Sequence, residues 1–354
     1  MLLDDKRILV TGGTGSLGKV LLRRILSGSS GNPGKIVVFS RDESKQHQIR
    51  VEYQHRRLAT DEIIYRNFHD LLEFRIGDVR DFHSISAALR GIDIVFNAAA
   101  LKQVPTCEYF PYEAVMTNVH GPENIVRAIR ELELPIETVV GISTDKAVKP
   151  VNVMGMTKAL QERVFAGANL ASPDTRFIIV RYGNVLASRG SVIPLFHEQI
   201  RQGGPVTITH SEMTRFLLSL DEAVDVIFAA VAEARPGETY IPRVASARIA
   251  DVAAALINGR RIETMVTRIR PGEKLHEILV SEEEAHRTIT RGDHYVIGPI
   301  LPELQDPTAA GPFLENEYSS ANDLLTRGQV EDLLVRRKLM VDSTELNLEG
   351  ELLR

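Results

Sequence analysis

Residues 7–18 read RILVTGGTGSLG, and this stretch decides the fold. Its apolar start is a β-strand pattern, and the glycines at positions 12, 15 and 18 lie between that strand and a helical pattern. Glycine permits the tight turn and lets backbone N–H groups reach a pyrophosphate at the helix N-terminus. The stretch therefore predicts a dinucleotide site, formed by Thr11, Gly12, Gly15, Ser16, Leu17 and Gly18.

Five more apolar runs alternate with helical patterns, at residues 35–39, 73–76, 92–96, 138–142 and 177–180. Such runs are typical of buried parallel strands in βαβ units. We expect an α/β protein with a Rossmann-type doubly wound parallel sheet and a smaller C-terminal substrate-binding lobe. The expected parts are a dinucleotide-binding domain (1–185), a substrate lobe interleaved with the sheet (186–312), and a C-terminal helix and tail (313–354). Further helical patterns cover residues 220–234, 249–257 and 324–340.

Composition limits the classes of function. The chain has 354 residues, 44% hydrophobic and 25% charged, with a formal net charge of −5, so nothing favours nucleic acid or an anionic membrane as partner. The single cysteine, Cys107, cannot form an internal disulfide, and no apolar run reaches the ~20 residues that span a bilayer. We expect a cytoplasmic protein. The histidines lack the spacing of a metal site, so no metal is expected.

The end of the second run indicates which dinucleotide binds. An acidic residue there normally holds the ribose of NAD, but this chain has Ser40 and Arg41. A hydroxyl and a guanidinium suit a 2′-phosphate, so NADP is expected. In the alternative, NAD binds, Arg41 stacks on the adenine, and Asp42 holds the ribose. The predicted cofactor contacts that follow the third and fourth runs are Asp78, Val79, Ala98, Ala99 and Ala100.

A candidate chemical site follows the fifth run, where residues 143–146 read STDK. Ligands of open α/β sheets bind at the carboxyl ends of strands, and Met154 and Lys158 share the face of the next helix. A dehydrogenase of this layout has a tyrosine at the position of Met154, and a thioether cannot replace that acid–base group. The acid–base work is then predicted for Thr144, Asp145 and Lys146, because a buried lysine beside a carboxylate is costly unless it is used or paired. The alternative is an inactive or purely binding module.

Eight segments together resemble the extended short-chain dehydrogenase/reductases that act on nucleotide sugars. Among these, the chain is most similar to UDP-N-acetylglucosamine 4,6-dehydratases of the C5-inverting type, in the polysaccharide biosynthesis family. The resemblance spans residues 5–300, and its Met-x-x-x-Lys variant resembles a branch that begins capsule or O-antigen amino-sugar synthesis. The segments are 11–18 (TGGTGSLG), 40–43 (SRDE), 98–104 (AAALKQV), 143–148 (STDKAV), 181–185 (RYGNV), 188–194 (SRGSVIP), 213–216 (MTRF) and 270–274 (RPGEK).

The resemblance implies a lyase reaction: oxidation at carbon 4, loss of water across carbons 5 and 6, and return of hydride to carbon 6. NADP would stay tightly bound and be recycled. Asp145 is then the acid for the leaving hydroxyl, and Lys146 is the base at carbon 5, which requires a depressed pKa. Thr144 would bind the carbon 4 oxygen, and Lys158 would hold the nicotinamide ribose. The carbon 4 hydroxyl proton would go to Asp145, Lys146 or a water relay, and the configuration at carbon 5 stays open.

The resemblance also implies UDP-N-acetylglucosamine or a related UDP-sugar as the substrate. Residues 111–132 resemble the dimer-forming helix of the superfamily, so a homo-oligomer, either a dimer or a hexamer, is expected. The implied substrate contacts are Lys102 near the sugar, Asn184, Arg189, Arg215 and Arg270 at the diphosphate, Glu273 at the uridine ribose, and Thr207 in the strand that reads uracil.

Two other functions remain as alternatives. A UDP-sugar 4-epimerase returns hydride to carbon 4 and usually relies on the tyrosine, so Met154 argues against it. A non-catalytic NADP-sensing protein has no need for an acid and a base beside the nicotinamide, so the Asp145–Lys146 pair argues against that function.

Overall fold

The computed structural model describes residues 1–55, 70–186, 191–305 and 312–341. Its strands are β1 (Arg7–Thr11), β2 (Lys35–Ser40), β3 (Leu72–Ile76), β4 (Ile94–Asn97), β5 (Thr138–Thr144), β6 (Arg176–Tyr182), β7 (Val206–Ile208), β8 (Thr214–Phe216), β9 (Thr239–Pro242), β10 (Ser246–Arg248), β11 (Thr264–Val266), β12 (Ile278–Val280), β13 (Thr288–Arg291), β14 (His294–Ile297) and β15 (Tyr318–Ser319).

The α-helices are α1 (Ser16–Leu26), α2 (Glu43–His55), α3 (Phe82–Leu89), α4 (Val104–Tyr109), α5 (Pro111–Val115), α6 (Gly121–Glu131), α7 (Val153–Ala171), α8 (Val192–Arg201), α9 (Leu220–Glu233), α10 (Ile249–Ile257), α11 (Glu282–Ala285) and α12 (Arg327–Arg336). A π-helical turn, Met116–His120, joins α5 to α6, and a 3₁₀ turn, Asp145–Ala147, follows β5. In the described part of the chain, no helix is both long enough and apolar enough to cross a membrane.

The central sheet has nine strands in the order β13-β14-β9-β6-β5-β4-β1-β2-β3. The six strands predicted from the apolar runs are parallel neighbours in the order 3-2-1-4-5-6, which is the Rossmann arrangement. The predicted fold class is thus confirmed. Because parallel strands end at the same edge, the segments after β1, β2, β4, β5 and β6 meet there.

Helices cover both faces of this sheet, which explains why its strands are apolar on both sides. On one face α1 and α9 pack through fully buried residues such as Leu21 and Val224. On the other face α3, α6 and α7 pack through Ile85, Ile125 and Phe165, also fully buried. Each such side chain stabilises the fold by about 1.5–3 kcal/mol relative to exposure. This burial holds the strand ends in fixed positions.

The chain after β6 contributes to two places. Strands β9, β14 and β13 extend the central sheet. Strand β9 is parallel to β6, β14 is antiparallel to β9, and β13 is antiparallel to β14. Other segments form a lobe in which α8, α10 and α12 pack around Phe196, Val252 and Leu334. Helices α9 and α10 confirm the patterns at 220–234 and 249–257, and α12 lies inside the pattern at 324–340. The predicted tail, 342–354, lies outside the described residues.

Candidate active site

One cavity of about 1510 Å³ runs along the carboxyl edge of the sheet and under the lobe. Drug-sized ligand pockets usually have about 300–1,000 Å³, so this cavity has room for more than one nucleotide-sized ligand. Its wall contains residues from the glycine turn, from the STDK segment and from the RPGEK segment. The fold therefore brings most of the predicted site residues together, although they are far apart in the chain.

The glycine turn packs too closely for side chains. Gly12 has φ +66°, and a Cβ there would lie 2.7 Å from the backbone nitrogen of Ala99. A Cβ on Gly18 would lie 2.5 Å from the Cα of Gly13, so the turn and α1 are in direct backbone contact. Helix α1 begins at Ser16 without a side-chain cap, and its first N–H groups are therefore left for a ligand such as a diphosphate.

Thr11 lies behind this wall instead of on it. Its buried hydroxyl donates to Oδ1 of Asn97 at 2.8 Å and accepts from the backbone N–H of Ala99 at 3.3 Å. These bonds tie the end of β1 to the end of β4. In this structure Thr11 thus positions the predicted contacts Ala98, Ala99 and Ala100, which do line the cavity.

The far end of the cavity carries two cations beside Ser40. The Arg41 side chain is 55% exposed, and its Nη1 lies 3.7 Å from Oδ2 of Asp78. Lys45, which the sequence analysis did not single out, also lines this end, and its Nζ lies 2.6 Å from Asp42. A serine hydroxyl with two cations beside it fits a phosphate group.

Asp78 is already engaged by protein groups. Arg80 donates to its Oδ2 from Nε at 2.9 Å, and the Arg80 backbone N–H donates to Oδ1 at 3.0 Å. Burial acts to raise the pKa of Asp78, but these hydrogen bonds outweigh it and lower the pKa. Asp78 is therefore an ionised acceptor at the cavity wall, and its neighbour Val79 lines the same region.

Lys146 is the centre of the predicted chemical site. Its Nζ lies 2.8 Å from Oδ1 of Asn184, 3.1 Å from Oδ1 of Asp145 and 3.2 Å from Oε1 of Glu277. These three acceptors match the three hydrogens of an ammonium group. The sequence placed Asn184 at a diphosphate, whereas here its side chain accepts from Lys146.

The expected depressed pKa of Lys146 is wrong for this arrangement. Burial acts to lower the pKa of Lys146, but the charges of Asp145 and Glu277 oppose that effect and leave the pKa raised. The sequence shows only one carboxylate beside Lys146, that of Asp145, while the fold adds the carboxylate of Glu277. Lys146 is thus an ammonium, and it can act as a base only after it loses a proton.

Asp145 lies beneath the cavity and is not part of its wall. Its Oδ1 accepts from the hydroxyl of Thr144 at 2.7 Å and from Lys146, and its Oδ2 is buried without a hydrogen-bond partner among the described residues. A Cβ on Gly183 would lie 3.3 Å from that Oδ2, so the backbone of Gly183 covers it. Thr144 and Lys146 do line the cavity.

Met154 and Lys158 lie on the same face of α7 and both line the cavity, as predicted from their spacing. Met154 is buried with Cys107 and Ala114. Lys158 donates to the carbonyl oxygen of Ile142 and to Oε1 of Gln161, and burial lowers the pKa of Lys158 to about 7. Lys158 thus changes its protonation state near neutral pH.

Tyr182 is the tyrosine that lines the described part of the cavity. Burial raises the pKa of Tyr182, so its phenol stays protonated at neutral pH. The described cavity wall therefore provides no phenolate to replace the one that Met154 lacks.

The predicted substrate contacts line the cavity, except for Arg189, which lies outside the described residues. Thr207 is held by Gln199, whose Nε2 donates to the Thr207 hydroxyl at 2.7 Å. Arg215 is buried, and its Nη1 donates to the carbonyl oxygen of Thr214 at 2.7 Å. The remaining contacts in the cavity wall are Lys102, Asn184, Arg270 and Glu273.

Glu277 is, with Lys45, a site residue that the sequence did not reveal. It is 2% exposed and forms part of the cavity wall, where it contacts Lys146 and lies 3.8 Å from Nε of Arg215. In the sequence it lies three residues after the RPGEK segment and directly before β12. The available signal was a charged residue next to an apolar strand.

These features define a Rossmann-type α/β protein with a large cavity and a Lys–carboxylate cluster at the carboxyl ends of its strands. The chain belongs to the family described as polysaccharide biosynthesis protein, whose family model matches residues 8–299. It is 44% identical over 322 residues to the UDP-glucose 4-epimerase of Rickettsia typhi. That match covers 90% of this chain and 89% of that protein.

Solved structures show the same fold. The X-ray structure of Pen from Bacillus thuringiensis superposes with a TM-score of 0.84 and 31% identity, covering 96% of this chain and 100% of that chain. DesIV of Streptomyces venezuelae, a dTDP-glucose 4,6-dehydratase solved with NAD and TYD bound, superposes with a TM-score of 0.62 and 20% identity. The match to DesIV covers 76% of this chain and 86% of that chain, and it supports the fold alone.

Proposed function

We propose that this chain is a UDP-N-acetylglucosamine 4,6-dehydratase that makes a 4-keto-6-deoxy UDP-sugar for surface polysaccharide synthesis, with inversion at carbon 5. The observation that carries this proposal is Lys146, an ammonium held between two carboxylates in a cavity that Met154 also lines. A proton-transfer cluster with no phenolate suits removal of a carbon 5 proton and loss of water. The proposal also rests on the resemblance of the STDK and RPGEK segments and on the family match.

The cofactor of this proposal is NADP, with NAD as the alternative. The first N–H groups of α1 fit its diphosphate, and Ser40, Arg41 and Lys45 fit a 2′-phosphate. Lys158 lines the cavity and is the proposed holder of the nicotinamide ribose. When bound, the cofactor supplies hydride acceptance at carbon 4 and hydride return at carbon 6.

The protein's own residues have the following proposed roles. Thr144 orients the carbon 4 oxygen, and Lys146 takes the carbon 5 proton once it is neutral. Arg215 and Arg270 bind the UDP diphosphate, since guanidinium groups match phosphate oxygens. The reaction also needs an acid for the carbon 6 hydroxyl, which the sequence assigned to Asp145.

A UDP-sugar 4-epimerase is the second candidate, because the Rickettsia typhi relative at 44% identity bears that name. Both candidates must take the carbon 4 hydroxyl proton, and Met154 cannot do so in either. An epimerase usually relies on a tyrosine for this step, and burial raises the pKa of Tyr182, the tyrosine that lines the described cavity wall. The Lys146 cluster, moreover, has no task in a reaction that leaves carbon 5 untouched.

The two candidates are separated by NMR of the purified protein with UDP-N-acetylglucosamine in D₂O. A dehydratase gives a 4-keto-6-deoxy product with deuterium at carbon 5, and its ring couplings give the configuration there. An epimerase gives UDP-N-acetylgalactosamine with no deuterium at carbon 5. Unchanged substrate, with UDP-glucose tested in parallel, would contradict the proposed substrate.

We also propose that the chain assembles into a homo-oligomer through the surface around α4 and α5. The exposed aromatic residues Tyr109, Phe110 and Tyr112 lie there, and large exposed apolar groups are typical of interaction surfaces. Light scattering of the purified protein tests this: a monomer at micromolar concentration would contradict it.

A further inference from the structure

A second carboxylate beside Lys146 remains unexplained by the roles assigned so far. Glu277 is buried, and its Oε2 has no hydrogen-bond partner among the described residues. A buried acceptor without a partner is costly, and such groups are concentrated at functional sites. Glu277 lines the cavity, whereas the Asp145 carboxylate does not.

The position of Glu277 is fixed by its backbone. The N–H of Glu277 donates to the hydroxyl of Ser320 at 2.9 Å, and its carbonyl oxygen accepts from the N–H of Ser320 at 2.7 Å. The carboxylate is thus held against Lys146 by the lobe, while Lys146 itself comes from the end of β5. The pair forms only where the two parts of the chain meet.

We propose that Glu277 is a further catalytic residue, which takes a proton from Lys146 and delivers it to the hydroxyl that leaves carbon 6. This inference rests on the proposed dehydratase function. It assigns to Glu277 the acid role that the sequence gave to Asp145.

The protons balance over the loss of water. Over the whole cycle, the proton that the carbon 4 hydroxyl releases on oxidation equals the one that carbon 5 gains when hydride returns to carbon 6. One proton moves from Lys146 Nζ to Glu277, which leaves a neutral amine and a carboxylic acid. The amine takes the carbon 5 proton, the electron pair of that C–H bond forms the double bond between carbons 5 and 6, and the carbon 6–oxygen bond breaks. The departing hydroxide takes the proton of Glu277 and leaves as water. Lys146 ends as an ammonium and Glu277 as a carboxylate, as they began.

Substrate binding provides a reason for the first transfer. Asp145, Glu277, Lys146 and Arg215 sum to zero charge, and Arg215 lies 3.8 Å from Glu277 Oε1. A diphosphate on Arg215 offsets the positive charge that faces Glu277 Oε1, so that carboxylate then faces one uncompensated cation fewer. The first transfer is thereby assigned to the state with a UDP-sugar bound.

Two variants test this inference, Glu277→Gln and Glu277→Asp, with binding of UDP measured by calorimetry as a readout independent of turnover. Two rates are measured. The first is exchange of the carbon 5 hydrogen of the UDP-4-keto-6-deoxy product in D₂O, which needs no hydride transfer. The second is water loss from UDP-N-acetylglucosamine. For E277Q we expect UDP affinity within about threefold of wild type and both rates lowered about 100-fold. E277D keeps a carboxylate one methylene further back and should retain more of both rates than E277Q.

The opposite result follows if Glu277 only holds Lys146 electrostatically. Removing its charge would then lower the pKa of Lys146, so E277Q would match or exceed wild type, with the rising limb of its pH–rate profile moved to lower pH. That outcome overturns the proposal, as does an equal loss in E277Q and E277D. Arg215 and Lys274 also face the cluster, and neither changes between these variants.

The control is the wild type, which separates this inference from the proposed function. Wild-type protein that neither loses water nor exchanges carbon 5 overturns the dehydratase and this role together. Wild-type exchange with an unaffected E277Q overturns the role alone. If E277Q binds no UDP, E277D carries the test: slowed exchange with UDP binding retained supports the role, and unaltered exchange overturns it.

Discussion

The buried amine of Lys158 donates a hydrogen bond to the carbonyl oxygen of Ile142. Ile142 lies in β5, the strand that Lys146 follows. Burial lowers the pKa of Lys158 from its ordinary 10.5 to about 7. Between these two values the unfolded chain binds a proton that the folded chain has lost. The free energy of unfolding therefore rises with pH across this window, and the cost of burying the charge is greatest below pH 7.

Lys158→Met should remove this pH dependence. At about pH 6 we expect the variant to have a higher free energy of unfolding than wild type. At about pH 9 this difference between variant and wild type should be about 2–3 kcal/mol smaller. Urea unfolding at both pH values measures it. Lys149→Met is the matched control, because the pKa of Lys149 is raised by its bond to Glu317 and that lysine stays charged throughout. A difference that does not vary with pH would contradict the lowered pKa of Lys158.

Arg41→Ala tests the choice of cofactor. Loss of a charged hydrogen bond costs about 1.5–3 kcal/mol, so NADP affinity should fall about 10- to 100-fold while NAD affinity changes little. Fluorescence titration with both dinucleotides measures this. Arg127→Ala, which removes an exposed arginine paired with Glu131, should change neither affinity. Equal losses for NADP and NAD would sink the 2′-phosphate assignment.

Lys146→Ala should abolish water loss, by at least about 100-fold, while UDP affinity stays nearly unchanged, because this amine is the proposed base. The rate is followed by NMR of the 4-keto product, and the affinity by calorimetry. Lys149→Ala changes a nearby lysine whose Nζ lies 2.9 Å from Glu317 and which does not line the cavity, so it should keep the wild-type rate. Unchanged turnover in Lys146→Ala would remove Lys146 from the mechanism.

Met154→Tyr asks whether the site is built around methionine. Met154 is packed against Cys107 and Ala114, so a larger, polar phenol should disturb that packing and should not increase the rate of water loss. Met156→Tyr, on an exposed position of the same helix, controls for the substitution itself. A large gain in rate for Met154→Tyr would show that the absent tyrosine limits the enzyme.

Much of the molecule follows from local sequence. The apolar runs predict six strands of the sheet. Glycine is required at positions 12 and 18 because a Cβ on Gly12 would meet the backbone of Ala99, and a Cβ on Gly18 would meet the backbone of Gly13. Met154 and Lys158 share a helix face because helical geometry places residues four apart on one side. These features depend on short-range periodicity and sterics, which the sequence expresses directly.

The tertiary structure decided the protonation of Lys146. Its neighbour Asp145 is adjacent in the chain, but Glu277 and Asn184 reach it from separate segments. Burial acts to lower the pKa of Lys146, and the two carboxylates together leave that pKa raised. The pairings of β9 with β6 and of β14 with β9 likewise join segments that no local pattern brings together. The sequence by itself determined the Rossmann half and the residue types of the site. Which charges face one another depended on long-range packing, because electrostatic energy follows distances in space and not positions along the chain.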